Sequence, residues 1–139
     1  MKSKVGEIMT RNPTALPATA PVREAAKRMK AAGIGAVIVE KNGALCGIVT
    51  DRDIVVRCVA EGGDCDEMTL ASICSPHLAT LSPNDQIGNA IELMRKKAIR
   101  RIPVVEDGKA VGILSLGDLA LERDPKSALG GISAAAANA

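Results

Sequence analysis

The sequence contains no Trp, Tyr or Phe. Its core must therefore be filled by Ile, Val, Leu, Met and Ala, and a flat ligand would have to lie on aliphatic side chains. The same absence argues against a single-stranded nucleic-acid surface, where bases stack on aromatic rings. An excess of one charge is also lacking: 18 Lys and Arg stand against 16 Asp and Glu, a formal net charge of +2. That excess is too small to signal a polyanionic partner, so no dedicated nucleic-acid or membrane surface is expected. No stretch approaches the roughly 20 apolar residues of a membrane span. The amino terminus, MKSKVGEIMT, has two lysines but no apolar run long enough for a signal peptide. A cytoplasmic protein is the expectation.

Histidine occurs once, at His77, with no nucleophile-and-base arrangement evident around it. Enzymatic activity has no support from this chain. Cys46, Cys58, Cys65 and Cys74 show no CxxC spacing, and a reducing compartment keeps thiols free. Cys65, Cys74 and His77 are too few and too irregular for structural zinc, which takes four well-spaced ligands, so no metal site is expected. Cys46 and Cys58 read as core. Sensing through the thiols of Cys65 or Cys74 would require a depressed pKa and exposure. Gly33 and Gly35 precede a strand instead of following one, which excludes a dinucleotide fingerprint.

What is present is a duplication. Gly47–Asp53, GIVTDRD, returns as Gly112–Asp118, GILSLGD, and 112 − 47 = 65. Shifting the chain by 65 superposes Ile8 on Ile73, Leu16 on Leu81, Ala25 on Ala90, Met29 on Met94, Val39 on Val104 and Ile48 on Ile113, without a gap. A register held this long is an internal repeat. With 139 residues, 47% apolar and 24% charged, the chain has the size and composition of one globular domain. The two copies are expected to share a core.

In the first copy, Pro13 and Pro17 favour a short extended lead-in over residues 5–20. Val22, Ala25, Ala26 and Met29 recur at helical spacing between Pro21 and Gly33. Ala36–Glu40 reads as a buried strand, Asn42-Gly43 as a hairpin turn, and Leu45–Val49 as the returning strand. Helix follows from Asp51. The second copy repeats this plan, with Asp107-Gly108 at its turn. The expected division is a first repeat over 6–62, a connection over 63–69, a second repeat over 70–124, and a mobile, partly helical Ala/Gly/Ser-rich tail over 125–139.

In each copy a strand ends on a hydroxyl residue followed three positions later by an aspartate: Thr50 with Asp53, and Ser115 with Asp118. The plain reading is a capping box, in which hydroxyl and carboxylate satisfy free backbone amides. A second reading is a ribose-phosphate site. A short Asp at a strand-to-helix corner suits a vicinal diol, and the unpaired amides of the helix start favour phosphate.

The stretches GIGAVIVEKNGALCGIVTDRDIV (Gly33–Val55) and AIRRIPVVEDGKAVGILSLGDLA (Ala98–Ala120) resemble a tandem pair of cystathionine β-synthase (CBS) domains, the Bateman module, over nearly everything from Gly6 to Glu122. The resemblance implies an α/β (α+β) fold of two β-α-β-β-α units about a pseudo-twofold axis. Such modules commonly pair into a homodimer and bind adenosyl ligands in clefts between the units. It assigns Asp53 and Asp118 to ribose hydroxyls, Thr50 and Ser115 to phosphate or ribose oxygens, and the surroundings of Ile48 and Ile113 to adenine. Ala20 and Ala25 would help line the Asp118 site, and Asn84 and Ala90 the Asp53 site. Arg100 and Arg101 match a basic pair that reaches phosphates, and Arg52 lies inside the first motif. The shifted equivalents of Arg100, Arg101 and Arg52 are Gly35, Ala36 and Gly117, so two unequal sites are expected, the tighter one for a charged nucleotide near the Arg pair. The plain reading of that pair is a solvated surface or a dimer contact.

The implied function is a regulatory sensor of AMP, ADP or ATP, with S-adenosylmethionine as the alternative ligand. It would act through ligand-dependent conformation on an unidentified protein partner, and no obligatory cofactor is implied. The rival reading is a structural or stress-related interaction module with no physiological nucleotide.

Overall fold

A computed structural model describes residues 2–75, 79–124 and 126–135. A 3-10 turn at Val5–Glu7 precedes β1 (Thr10–Arg11), β2 (Ala15–Pro17), α1 (Val22–Ala32), β3 (Ala36–Lys41), β4 (Ala44–Thr50) and α2 (Asp51–Ile54). A π-helical turn at Val55–Val59 continues α2, and α3 (Leu70–Ile73) follows. The second half carries α4 (Ile87–Lys97), β5 (Arg101–Glu106), β6 (Lys109–Ser115), α5 (Leu116–Arg123) and α6 (Ala128–Ala134). This is a mixed α+β architecture with two three-stranded sheets, ordered β2-β3-β4 and β1-β6-β5. No helix among the described residues is long and apolar enough to cross a membrane.

The duplication persists down to individual pairings. Val39 faces Gly47 across the first hairpin and Val104 faces Gly112 across the second, each strand pair slipping register just after these valines. Leu16 pairs in parallel with Val39, and Leu81 forms the corresponding bridge to Val104. Both hairpin turns use two residues with positive φ: Asn42 at 54° with Gly43 at 78°, and Asp107 at 52° with Gly108 at 79°. Turns of that hand match the right-handed twist of the strands they join, which is why Asn-Gly and Asp-Gly close them.

The long helices bury the stripe that their spacing predicts: Val22, Ala25 and Met29 on α1, and Ile87, Ala90 and Met94 on α4. Gly33 ends α1 in the left-handed region at φ 65°. Ala98 holds the same position after α4 at φ 53°, a conformation that a Cβ resists.

Each half has its own cluster. One gathers Leu16, Val22, Val37, Val39, Val49, Leu70 and Ile73, and the other Val5, Leu81, Ile87, Ile102, Val104 and Leu114. With no aromatic residue available, both are built from branched aliphatics at the alternating positions of the strands and the helical stripe.

The chain forms two compact units whose limits differ from those of the repeats. One is Thr14–Leu78; the other joins Met1–Pro13 to Ala79–Ala137. In the second, β1 pairs antiparallel with β6, the amides of Val5 and Gly6 donate to the carbonyls of Asp85 and Pro83, and Val5 is fully buried. Within the tail, Ser127 caps α6 by accepting from the Gly130 amide, and α6 packs against α5.

Candidate functional site

Both hydroxyl-aspartate pairs form capping boxes at the corner where a strand turns into a helix. The Asp53 amide donates to Thr50 Oγ1 at 3.1 Å, and the Thr50 amide donates to Asp53 Oδ2 at 2.8 Å. At the second corner the Asp118 amide donates to Ser115 Oγ at 3.1 Å, and the Ser115 amide to Asp118 Oδ2 at 2.9 Å. These bonds satisfy amides that the first helical turn would otherwise leave free.

Capping occupies one carboxylate oxygen only. The other, Oδ1, meets a different neighbour at each corner. Asp53 Oδ1 lies 4.0 Å from the guanidinium of Arg57, one turn further along, and Arg57 is itself held by donating to the Ile73 carbonyl at 2.9 Å. Asp118 Oδ1 accepts a long hydrogen bond, 3.4 Å, from the hydroxyl of Thr10 on β1. Sequence reasoning overlooked both neighbours. The Asp-to-Arg spacing of four was a legible signal for Arg57. Thr10 had none, because it reaches Asp118 only through the β1–β6 pairing.

The basic pair belongs to the Ser115–Asp118 corner. Arg101 lies directly opposite Ser115 in the β5–β6 ladder, which places the two side chains on the same face. The Arg100 carbonyl accepts from the Leu116 amide at 2.9 Å, tying the residue to the start of α5. Both arginines are exposed, as is Arg52 at the start of α2. No ion-pair partner is found for these three among the described residues. At the first corner the equivalent ladder pair is Ala36 with Thr50, and the equivalent carbonyl bond runs from the Asp51 amide to Gly35. The two corners therefore share a backbone and differ in where their arginines sit: Arg100 and Arg101 at the β5 side of one, Arg52 and Arg57 on the helical run of the other.

Ile48 is nearly buried and pairs with Ile38; Ile113 is half-buried and pairs with Pro103 and with Thr10. Ala20 and Ala25 belong to the core cluster of the Thr14–Leu78 unit, and Ala90 to that of the other unit; Ala25 and Ala90 are fully buried. Of the residues assigned to lining positions, Asn84 is the one with an exposed polar side chain. His77 lies outside the described residues, and no group of three or more metal-ligating side chains occurs among the described ones.

All four cysteines are free thiols and all lie in the Thr14–Leu78 unit. Cys58 and Cys65 are in contact, with their sulfurs 2.8 Å apart. The hydrogen bond to Cys65, and then burial, push the Cys58 thiol up to about 11. Burial, and then neighbouring Cys46, raise that of Cys74.

Comparison with known proteins bears on the whole arrangement. The CBS domain family matches the chain twice, over residues 5–59 and 70–123. The CBS domain-containing protein YhcV of Bacillus subtilis is 36% identical over 121 residues, covering 87% of this chain and 86% of its own. A protein with CBS domains from Burkholderia ambifaria superposes with a TM-score of 0.80 at 25% identity, covering 89% of this chain and 96% of its own. The hexameric CBS-CP12 protein of bloom-forming cyanobacteria superposes with a TM-score of 0.77 at 30% identity, covering 88% of this chain and 72% of its own. Two matched copies, two sheets in one register and two capped corners lead to one conclusion: the chain belongs to the CBS-domain family, as a tandem pair of CBS domains.

Proposed function

We propose that this CBS pair is a regulatory ligand-binding module whose ligand is an adenine nucleotide, taken up first at the Ser115–Asp118 corner. The observation that carries the reading is the division of labour on the aspartate. Oδ2 is committed to the cap, while Oδ1 points to an exposed hydroxyl 3.4 Å away and can accept from a ribose diol instead. Arg101, across from Ser115, and Arg100 beside it supply guanidinium groups, without an ion-pair partner among the described residues, of the kind that grip phosphate. At the other corner Asp53 faces Arg57, and the ladder position opposite Thr50 is an alanine. A charged nucleotide is favoured at the Arg pair, whose two arginines adjoin each other, and a ligand with less negative charge at Thr50–Asp53, where Arg57 is engaged by Asp53 and Arg52 stands alone. S-adenosylmethionine is the candidate of that second kind.

Regulation on this reading is a population shift. The ligand favours whichever conformation it binds better, and a protein partner reads the result. A cytoplasmic setting fits the free thiols.

The test is titration calorimetry of dialysed protein with AMP, ATP and S-adenosylmethionine. Asp118→Asn is the informative variant, because the amide keeps one oxygen for the cap and replaces the other with a donor. It is expected to weaken AMP by at least about tenfold, the scale of one hydrogen bond to a charged group. Arg101→Ala is expected to weaken ATP more than S-adenosylmethionine. Unchanged affinities in both variants would remove the site from this corner, and no heat with any ligand would favour the nucleotide-independent interaction module. A specific feature speaks for that second reading: Val55, Val56 and Val59 present an exposed apolar strip.

A further inference from the structure

We propose that Cys58 and Cys65 are a disulfide-forming pair, a redox modification site that ties the end of the Asp53 helical run to the connection after it. Their sulfurs are 2.8 Å apart, less than 1 Å beyond the bond length of a disulfide, about 2.05 Å.

The local chain holds them there. Cys58 sits on the π-helical turn at Val55–Val59. Past that turn the connection folds straight back, with the Gly63 amide donating to the Cys58 carbonyl at 2.9 Å. A Cβ at residue 63 would stand 3.1 Å from that carbonyl and 3.6 Å from Cys58 Sγ, so glycine permits the close return. On the other side the Cys65 carbonyl accepts from the Arg23 amide and the Met68 carbonyl from the Val22 amide, each at 2.9 Å. The Arg23 side chain is also paired with Asp66. Cys65 is thus anchored against Cys58 by the start of α1 and does not need to be brought to it.

The two thiols differ in a way that orders the chemistry. Cys65 is half-buried and reachable, whereas Cys58 is fully buried. The oxidant is a small-molecule disulfide such as oxidised glutathione. The Cys65 thiolate attacks one of its sulfurs and expels the first small thiolate. That step converts the thiol that is hydrogen-bonded to Cys58 into a mixed disulfide whose sulfur lies next to the Cys58 sulfur. The Cys58 thiolate then attacks the Cys65 sulfur of the mixed disulfide and expels the second. Two protons pass from the protein thiols to the departing thiolates, and two electrons reduce the small disulfide to two thiols. Cys46 and Cys74 are also neighbours, but the close sulfur–sulfur contact belongs to Cys58 and Cys65, and the Cys74 thiol is turned to the Ala71 carbonyl at 3.6 Å.

The experiment uses the reduced native chain, incubated with oxidised glutathione, alkylated, and cleaved at acidic residues. Glu61 and Asp64 lie between the two cysteines, so only a cross-link keeps their peptides together. The expected product is a Cys58–Cys65 linked peptide two hydrogens lighter than the sum of its parts. Cys65→Ser should abolish it and Cys74→Ser should leave it. A persistent glutathione adduct on Cys65 with Cys58 still reduced overturns the proposal, as does linkage through Cys46 or Cys74 or between chains. The peptide map of the unaltered protein decides the matter even if Cys65→Ser fails to fold.

Discussion

Two single residues expose how far the repeats have diverged. Where Gly33 ends α1, Ala98 ends α4 in the same left-handed conformation, its amide bonding to the carbonyls of Arg95 and Met94. An alanine there costs about 1–2 kcal/mol relative to glycine, part of which is offset because glycine frees the unfolded chain. Ala98→Gly should therefore raise stability by about 0.5–1 kcal/mol in urea unfolding, while Gly33→Ala should lower it. The second residue is Cys58. Its proton is held in the folded state up to about 11, whereas an ordinary thiol releases it near 9.0. Below the lower value both states keep the proton and the stabilisation is complete. Between the two values the unfolded chain binds fewer protons than the folded one, so stability falls as pH rises. Melting temperatures taken across that window under reducing conditions should show a fall that is shallower in Cys65→Ala, which removes the hydrogen bond that is the main cause of the shift.

At the scale of elements, the glycines that open the two heptapeptides are placed by packing. A Cβ on Gly112 would lie 2.9 Å from the Thr10 carbonyl and 2.5 Å from Met9 Sδ, so the residue must stay bare for β1 to cross β6. The methionine can swing aside, but the carbonyl belongs to the strand pairing itself. Gly112→Ala is predicted to loosen β1 at a cost of about 1–3 kcal/mol, seen as faster hydrogen exchange of the Thr10 and Arg11 amides. Because Thr10 is the neighbour of Asp118, the same variant should weaken whatever binds at that corner.

This contact also marks where sequence reading stopped. The helical stripes, the hairpins and the 65-residue register were all legible, because each is written in local spacing or in the repeat itself. The pairing of Thr10 with Ile113 was not, since contacts between segments this far apart leave no period in the chain. The capping boxes were legible from Thr50, Asp53, Ser115 and Asp118; that each carboxylate keeps a second oxygen facing a different partner required coordinates.

For the whole molecule, the apolar strip after α2 bears on association. Val55, Val56 and Val59 are 58%, 43% and 59% exposed and adjoin one another on one turn, whereas the more exposed Ile132, at 72%, lies on α6. Contiguous exposed apolar surface commonly marks an interface. Completing the burial of one such valine stabilises a complex by about 1 kcal/mol, since full burial is worth roughly 1.5–3 kcal/mol. Were two copies of the chain to pair through this face, the self-paired interface would count each valine twice. Light scattering should then give twice the 14.3 kDa chain mass for the native protein. Val55→Lys combined with Val59→Lys should return it to the single-chain value without lowering the melting temperature of dilute protein, because these side chains support no core. Concentration must be followed by refractive index, as no aromatic residue absorbs at the usual wavelength. If the native chain already scatters as a monomer, the strip serves a different protein, and the interaction-module reading gains the support that the nucleotide reading would lose by failing its titration.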